Sequence, residues 1–407
     1  MRAFAGGFYR NLKAMYDYLG VEYLAQSFLF SFSVAPSHNL PARRPVRHTA
    51  YFIHSSNNHR IPPLKPEGVT VFEYLVQLAY LLLCYAWYTI CCFLVPPRTY
   101  GKRGTSETFG QYLSRIRLPR HFADYYLLPL MSAVTTCPHD TLLQFPACDL
   151  TEYKKQTHGA EHYTVSNGVQ SVQEKLSKGI RTRLLARVLA VKPQNFRIKV
   201  SWEQSGDSAN ADPVEDSFDR VVLAVPPNVV GKMFAPLSYE MSGIPTIPVE
   251  NVAHNVPGKA SGVFLGATAN GRHSPRRFDP GPAQMIHLRT SVDGGHRTES
   301  AHEQPSGMTV TTCPLTAVPS SEVIHSVKFT RVLRTPESRE IVNSIFGEHQ
   351  PSSRTWGHGT GWRNGDGGVW LAGGWCWDGL VLLEGCEVSA MRIADAFGVD
   401  VPWRVAK

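Results

Sequence analysis

No run of five or six like charges occurs in the 407 residues, although Lys and Arg outnumber Asp and Glu by 41 to 33. A nucleic-acid footprint needs clustered basic residues, so that class of partner finds no support. The scattered balance of +8 instead suits an anionic lipid surface or an anionic cofactor. Eight Cys are present without any C-x-x-C spacing, and Cys84, Cys91 and Cys92 sit inside one apolar run. That usage points to reduced thiols in a reducing compartment rather than to a disulfide framework. No apolar h-region follows the N-terminus, so no signal peptide is expected and the chain reads as cytoplasmic. No internal repeat is visible. Charge is sparse at 18% against 43% apolar residues, which excludes a disordered chain and permits two or three structural units. Aromatics are plentiful, with eight Trp and sixteen Tyr, enough to line a deep pocket.

Hydropathy patterning divides the chain. Tyr9, Leu12, Met15 and Leu19 recur at helical spacing up to Gly20, and Phe28 to Val34 alternates as a strand. Residues 35–68 read as loop. The segment 71–95 is the most apolar, and from Leu78 to Val95 it holds eighteen residues without a charge. Three readings stay open for it: a buried or surface-docked helix, a monotopic membrane contact, and a true span. Arg98, Lys102 and Arg103 follow it and would suit anionic headgroups. Residues 107–117 read as helix, and Pro129 should kink the apolar stretch Ala123 to Val134. His162 to Gly168 reads as a short strand, and Val169 to Leu176 as a helix. Leu184 to Val191 and Phe196 to Trp202 form a hairpin pattern, Gly206 to Asp216 an acidic loop, and Phe218 to Val225 a buried strand. Residues 266–307 hold one strand candidate, Gln284 to Arg289.

The chemistry-bearing pattern is C-terminal. A strand at Val369 to Ala372 meets Gly373-Gly374, then an aromatic loop with Trp375 and Trp377, then a helix that opens near Glu384-Gly385 and runs to about Phe397. Glycines allow close backbone approach to a ligand, and a helix N-terminus offers free N–H groups. An ordinary strand–turn–helix of an α/β domain would look the same. A second pattern, His158-Gly159-Ala160-Glu161-His162, fits H-x-x-E-H and would imply a zinc metallopeptidase, provided it lay on a helix.

The run AGGWCWDGLVLLEGCEVSAMRIA resembles the C-terminal flavin-binding motif of the flavin-containing amine oxidase superfamily. Two further blocks occur in the family's order: Tyr163 to Val169 with the following helix, and Ala186 to Val191 with Phe218 to Pro226. Tyr125 to Val134 with Phe145-Pro146-Ala147 is similar to the branch of predicted NAD/FAD-binding oxidoreductases. The resemblance spans essentially the whole chain. It implies an α/β, two-domain fold: a discontinuous Rossmann-type flavin domain from 1–27, 160–235 and 365–407, and a mixed-sheet plus helix substrate domain from 28–159 and 236–364. It implies FAD as cofactor, with Arg2, Gly6 and Gly7 beside the isoalloxazine and Val188 at the adenine. Gly373 and Gly374 would turn over the flavin, Trp375 and Trp377 would wall the ring, and Glu384 and Gly385 would start the helix near ribityl and pyrophosphate.

One departure is large. No G-x-G-x-x-G occurs anywhere; Gly357-His358-Gly359-Thr360-Gly361 has the wrong spacing. The expectation is a flavin domain lacking its N-terminal unit, about fifty residues. The implied activity is FAD-dependent oxidation of a C–N or C–C bond; the resemblance does not identify the substrate, and the apolar Leu78 to Val95 segment favours a lipid or other hydrophobic one over a small soluble amine. The alternative is an inactive homologue serving as a membrane-associated scaffold. No catalytic acid or base is named.

Overall fold

The computed structural model describes residues 3–35, 50–56, 65, 68–100, 105–194, 196–204, 212–255, 283–291, 295–304, 306–347 and 361–404. Arg2, Lys102, Arg103 and most of the 357–361 glycine cluster lie outside the described residues. The principal sheet has seven strands, in the order Val323–Val332, Thr246–Asn255, Met308–Thr312, Arg297–Glu303, Gln284–Ser291, Phe28–Val34 and Phe52–Ser55. Neighbours run antiparallel, except that Phe28–Val34 lies parallel to Gln284–Ser291 with Phe28 opposite Gln284. Segments more than 200 residues apart therefore share one sheet, and the parallel pair makes it mixed.

The other sheets are small. Ala3–Ala5 and Tyr23–Ala25 flank His162–Val165 antiparallel. Ala186–Gln194, Arg197–Gln204 and Val214–Phe218 form a meander. Val221–Leu223 pairs in parallel with Val369–Leu371, bringing residues nearly 150 positions apart side by side. The acidic stretch before Phe218 is thus a strand from Val214 rather than a loop, because Lys199 and Ser201 of the neighbouring strand pair with Glu215. The expected buried strand 218–225 shrinks to Val221–Leu223, and Phe218 and Val222 are exposed. Arg297–Glu303 is a strand that the sequence reading missed.

A 24-residue helix spans Val71–Leu94. Thr70 and Glu73 start it as a reciprocal capping box, and Pro96-Pro97 closes it, since proline offers no N–H for another turn. It buries Leu81, Cys84, Tyr88, Cys91 and Cys92, a stripe at helical spacing. These pack in one cluster with Phe4, Phe8 and Leu12 of the first segment and Phe109, Tyr112 and Leu150 of later helices. A second cluster gathers Val191, Ile198, Leu223, Val230, Val342, Leu371, Trp375 and Cys376. Among the described residues, the Val71–Leu94 helix alone is long and apolar enough to cross a membrane.

Candidate functional site

The parallel strands Val221–Leu223 and Val369–Leu371 end together, joined by the Ala372 N–H donating to the Leu223 carbonyl at 3.1 Å. Ligands of open α/β sheets bind beyond such carboxyl ends. The chain then turns at Gly373, whose φ of +144° disfavours any residue with a Cβ, and reaches the C-terminal helix Leu383–Ala396. Ser389 on that helix fixes the turn: its Oγ accepts from Gly373 N–H at 3.0 Å and donates to the Gly373 carbonyl at 3.3 Å. Gly385 is needed for close approach. A Cβ there would lie 2.4 Å from the Trp377 indole nitrogen and 2.6 Å from the Gly374 carbonyl oxygen.

Glu384 reaches away from the turn. The helix Arg10–Tyr18 has no side-chain cap and no acidic residue in its first turn, so its leading N–H groups need an acceptor. Glu384 Oε1 accepts from Asn11 N–H at 2.9 Å and Asn11 Nδ2 at 2.8 Å, and Oε2 accepts from Leu12 N–H at 3.1 Å. Burial raises the Glu384 carboxyl above the usual carboxylate range, and these donors pull it back. One helical turn on, burial and the Glu384 charge push Glu387 up to about 7.

Three arginines hold the loop between turn and helix. Arg334, 1% exposed, donates to the carbonyls of Trp375, Trp377 and Gly379 at 3.1, 2.8 and 3.4 Å. Arg331 donates to the carbonyls of Thr135 and Val381 at 2.9 and 2.6 Å. Arg339 donates to the Asp378 carbonyl at 3.0 Å and pairs with buried Asp149 at 3.4 Å. Burial lowers the Arg331 and Arg334 guanidinium pKa values and raises that of Asp149. Three Arg within nine residues of a weakly charged chain were the available signal, and the sequence reading passed over them.

The remaining predicted residues fall as follows. Gly6 and Gly7 lie in a turn after Ala3–Ala5. A Cβ on Gly7 would sit 1.9 Å from the Gln156 carbonyl oxygen, so this pair serves packing within the chain. The next residue, Phe8, meets the Trp377 ring edge-on at 6.0 Å, which brings the first segment to the C-terminal loop. Val188 sits at a bulge opposite Trp202 and packs on the cluster containing Leu371 and Trp375. Trp375 is buried, its indole N–H donating to the Val225 carbonyl at 3.1 Å, and the Trp377 indole N–H donates to the Leu380 carbonyl at 3.1 Å. The H-x-x-E-H geometry does not form: the helix Ala147–Thr157 ends before His158, Gly159 takes φ +70°, and His162 belongs to a strand. No group of three metal-ligating side chains occurs among the described residues.

The sequence profile of the family described as flavin containing amine oxidoreductase matches residues 103–299. This central part of the chain, just under half of it, is similar to the flavin-containing amine oxidase superfamily. Its fold is shared with two solved structures. One is a CLA-producing fatty acid isomerase from P. acnes, 10% identical, with a TM-score of 0.52, covering 98% of this chain and 86% of that one. The other is a putrescine oxidase bound to putrescine, 11% identical, also with a TM-score of 0.52, covering 97% and 87%. No curated protein sequence matches. The α/β, amine-oxidase-like fold expected from the sequence is present, and the coarse class is a flavin-dependent oxidoreductase.

The residues present suit one end of a flavin. A glycine turn beyond parallel strands, pinned by Ser389 and carried by buried arginines, can lie against a flat ring. No glycine loop in the sequence suits a pyrophosphate, and the spaces beside Gly374 and Gly385 are filled by the Leu382 carbonyl and the Trp377 indole.

Proposed function

We propose that the protein is an FAD-dependent oxidoreductase that oxidises a C–N or C–C bond of a hydrophobic substrate. The observation that carries this reading is the pinned Ala372–Trp375 turn at the ends of the parallel pair, in a chain similar to this superfamily. A bound flavin supplies the hydride acceptor, and the protein supplies orientation and exclusion of water. Gly373 and Gly374 would face the ring, and Trp375 would back the turn from the core. Arg334 would keep the loop carbonyls from collapsing into the site by holding all three on one guanidinium. The strands of the seven-stranded sheet fall within 28–159 and 236–364, in keeping with a separate substrate domain. The fatty acid isomerase and the putrescine oxidase bracket the substrate classes, and the aromatic and apolar surroundings favour the lipid-like side. Anaerobic bleaching of the bound flavin by long-chain fatty acids, and not by short diamines, is the expected result. Bleaching by diamines alone would overturn the substrate class.

A second reading rests on the absent G-x-G-x-x-G and on the filled glycine spaces: an inactive homologue that keeps the fold as a scaffold. Full-length protein that is purified colourless and takes up no added FAD would establish it.

A further inference from the structure

The outer face of the Val71–Leu94 helix is apolar and, among the described residues, uncovered. Phe72, Leu83 and Leu94 are 76%, 73% and 75% exposed, and Val76, Leu82 and Ile90 lie on the same side. At 1.5 Å per residue the strip is about 36 Å long. No charge interrupts the sequence between Glu73 and Arg98. The opposite face is sealed into the core by Leu81, Cys84, Tyr88 and Cys92, so the helix lies along the protein instead of projecting from it. The strands that precede it, Phe28–Val34 and Phe52–Ser55, share a sheet with Gln284–Ser291, which follows it. A single crossing would tear that sheet apart.

The charge around the strip is one-sided. From Val71 to Asp124 the sequence holds six Arg or Lys and three Asp or Glu, 6 − 3 = +3, with Arg120 pairing with Asp124 at 3.3 Å and Arg115 with Glu107. Arg117 and Arg120 are exposed, and their neighbours touch the strip: Trp87 donates its indole N–H to the Ile116 carbonyl at 2.8 Å, and the Tyr80 and His121 rings lie 6.2 Å apart. Exposed Arg98 stands just past the helix end. An apolar face with a basic rim matches acyl chains below and phosphates above. Two copies of this chain meeting face to face would oppose the same positive rims, which disfavours self-association. A recess of about 600 Å³ between the helix and His121 and Tyr126, lined by Phe72, Val76 and Tyr80, opens on the same side.

We propose that this face is a monotopic docking surface for an anionic lipid bilayer, with the helix lying in the interface of one leaflet and Arg98, Arg117 and Arg120 at the headgroups. The inference does not depend on the flavin reading. It is tested by floating the full-length protein with vesicles of mixed phosphatidylglycerol and phosphatidylcholine, or of phosphatidylcholine alone. Flotation with the anionic vesicles should be at least about tenfold stronger and should weaken in high salt. L82E/L83E, checked for folding by circular dichroism, should abolish it, and R117Q/R120Q should weaken it about tenfold. Equal binding to both vesicle types would overturn the proposal, as would full binding by R117Q/R120Q. A concentration-dependent dimer without flotation, dispersed by L82E/L83E, would overturn it in favour of self-association. Should L82E/L83E fail to fold, the arginine variant and the lipid comparison decide.

Discussion

Glu384, the second residue of the C-terminal helix, caps the first helix by accepting the backbone N–H groups of Asn11 and Leu12 at 2.9 and 3.1 Å. The bond joins residues 372 and more positions apart, and it docks the first helix against the C-terminal one. The arrangement also favours a carboxylate, because the positive end of a helix dipole faces it.

Replacing Glu384 by Ala should therefore destabilise the protein by about 2 kcal/mol, the cost of a lost cap with two backbone donors left without a partner. Glu384→Gln keeps an acceptor and should cost about half of that. Urea unfolding of both variants measures the difference. Equal stability of Glu384→Ala and the parent would remove the cap from the account.

Arg334 offers a sharper contrast. Arg334→Met should leave the buried Trp375 carbonyl and the part-buried Trp377 and Gly379 carbonyls without this donor and cost about 2 kcal/mol. Loosening the loop should also expose Trp375 and Trp377 and shift tryptophan emission to the red. Unchanged emission would show that the loop holds itself.

Two glycines separate crowding from backbone strain. Gly385→Ala places a methyl within 2.6 Å of Trp377 and the Gly374 carbonyl and should cost more than about 2 kcal/mol. Gly159→Ala meets open space at φ +70°, so only the left-handed backbone penalty of about 1 kcal/mol is expected. Thermal unfolding of the pair should rank them in that order.

Glu387 gives a pH signature. Its carboxyl is raised from the ordinary 4.5 to about 7, so between those values the folded protein binds the proton more tightly than the unfolded chain. The stabilisation is complete below about pH 4.5 and is lost as pH rises through 7. Glu387→Gln should flatten this dependence and gain on the order of 1 kcal/mol at pH 8. His139 acts in the opposite sense. Burial lowers it to about 4, so its contribution is present above 6.5 and is lost as pH falls toward 4. A stability profile of Glu387→Gln that still falls between pH 5 and 7 would reject the assignment.

How much was legible in advance follows from locality. The C-terminal strand, turn and helix were readable because short-range signals specify them: a short apolar run, two glycines and a helical period from Leu383. The apolar helix was readable for the same reason. The seven-stranded sheet was not, since Thr246–Asn255 and Val323–Val332 carry polar residues on their outer face and their pairing is long-range. The candidate site divided in the same way. Gly373 and Gly374 announce a turn by themselves, whereas the partners of Glu384 and Arg334 depend on segments that only folding brings near.

Tryptophan emission during FAD titration of the full-length protein tests the central claim most directly, because Trp375 backs the proposed ring position. The account predicts saturable quenching at one FAD per chain, abolished by Gly373→Val, whose side chain the +144° backbone rejects. Emission that falls only in proportion to added flavin, without saturation and equally in Gly373→Val, would contradict it.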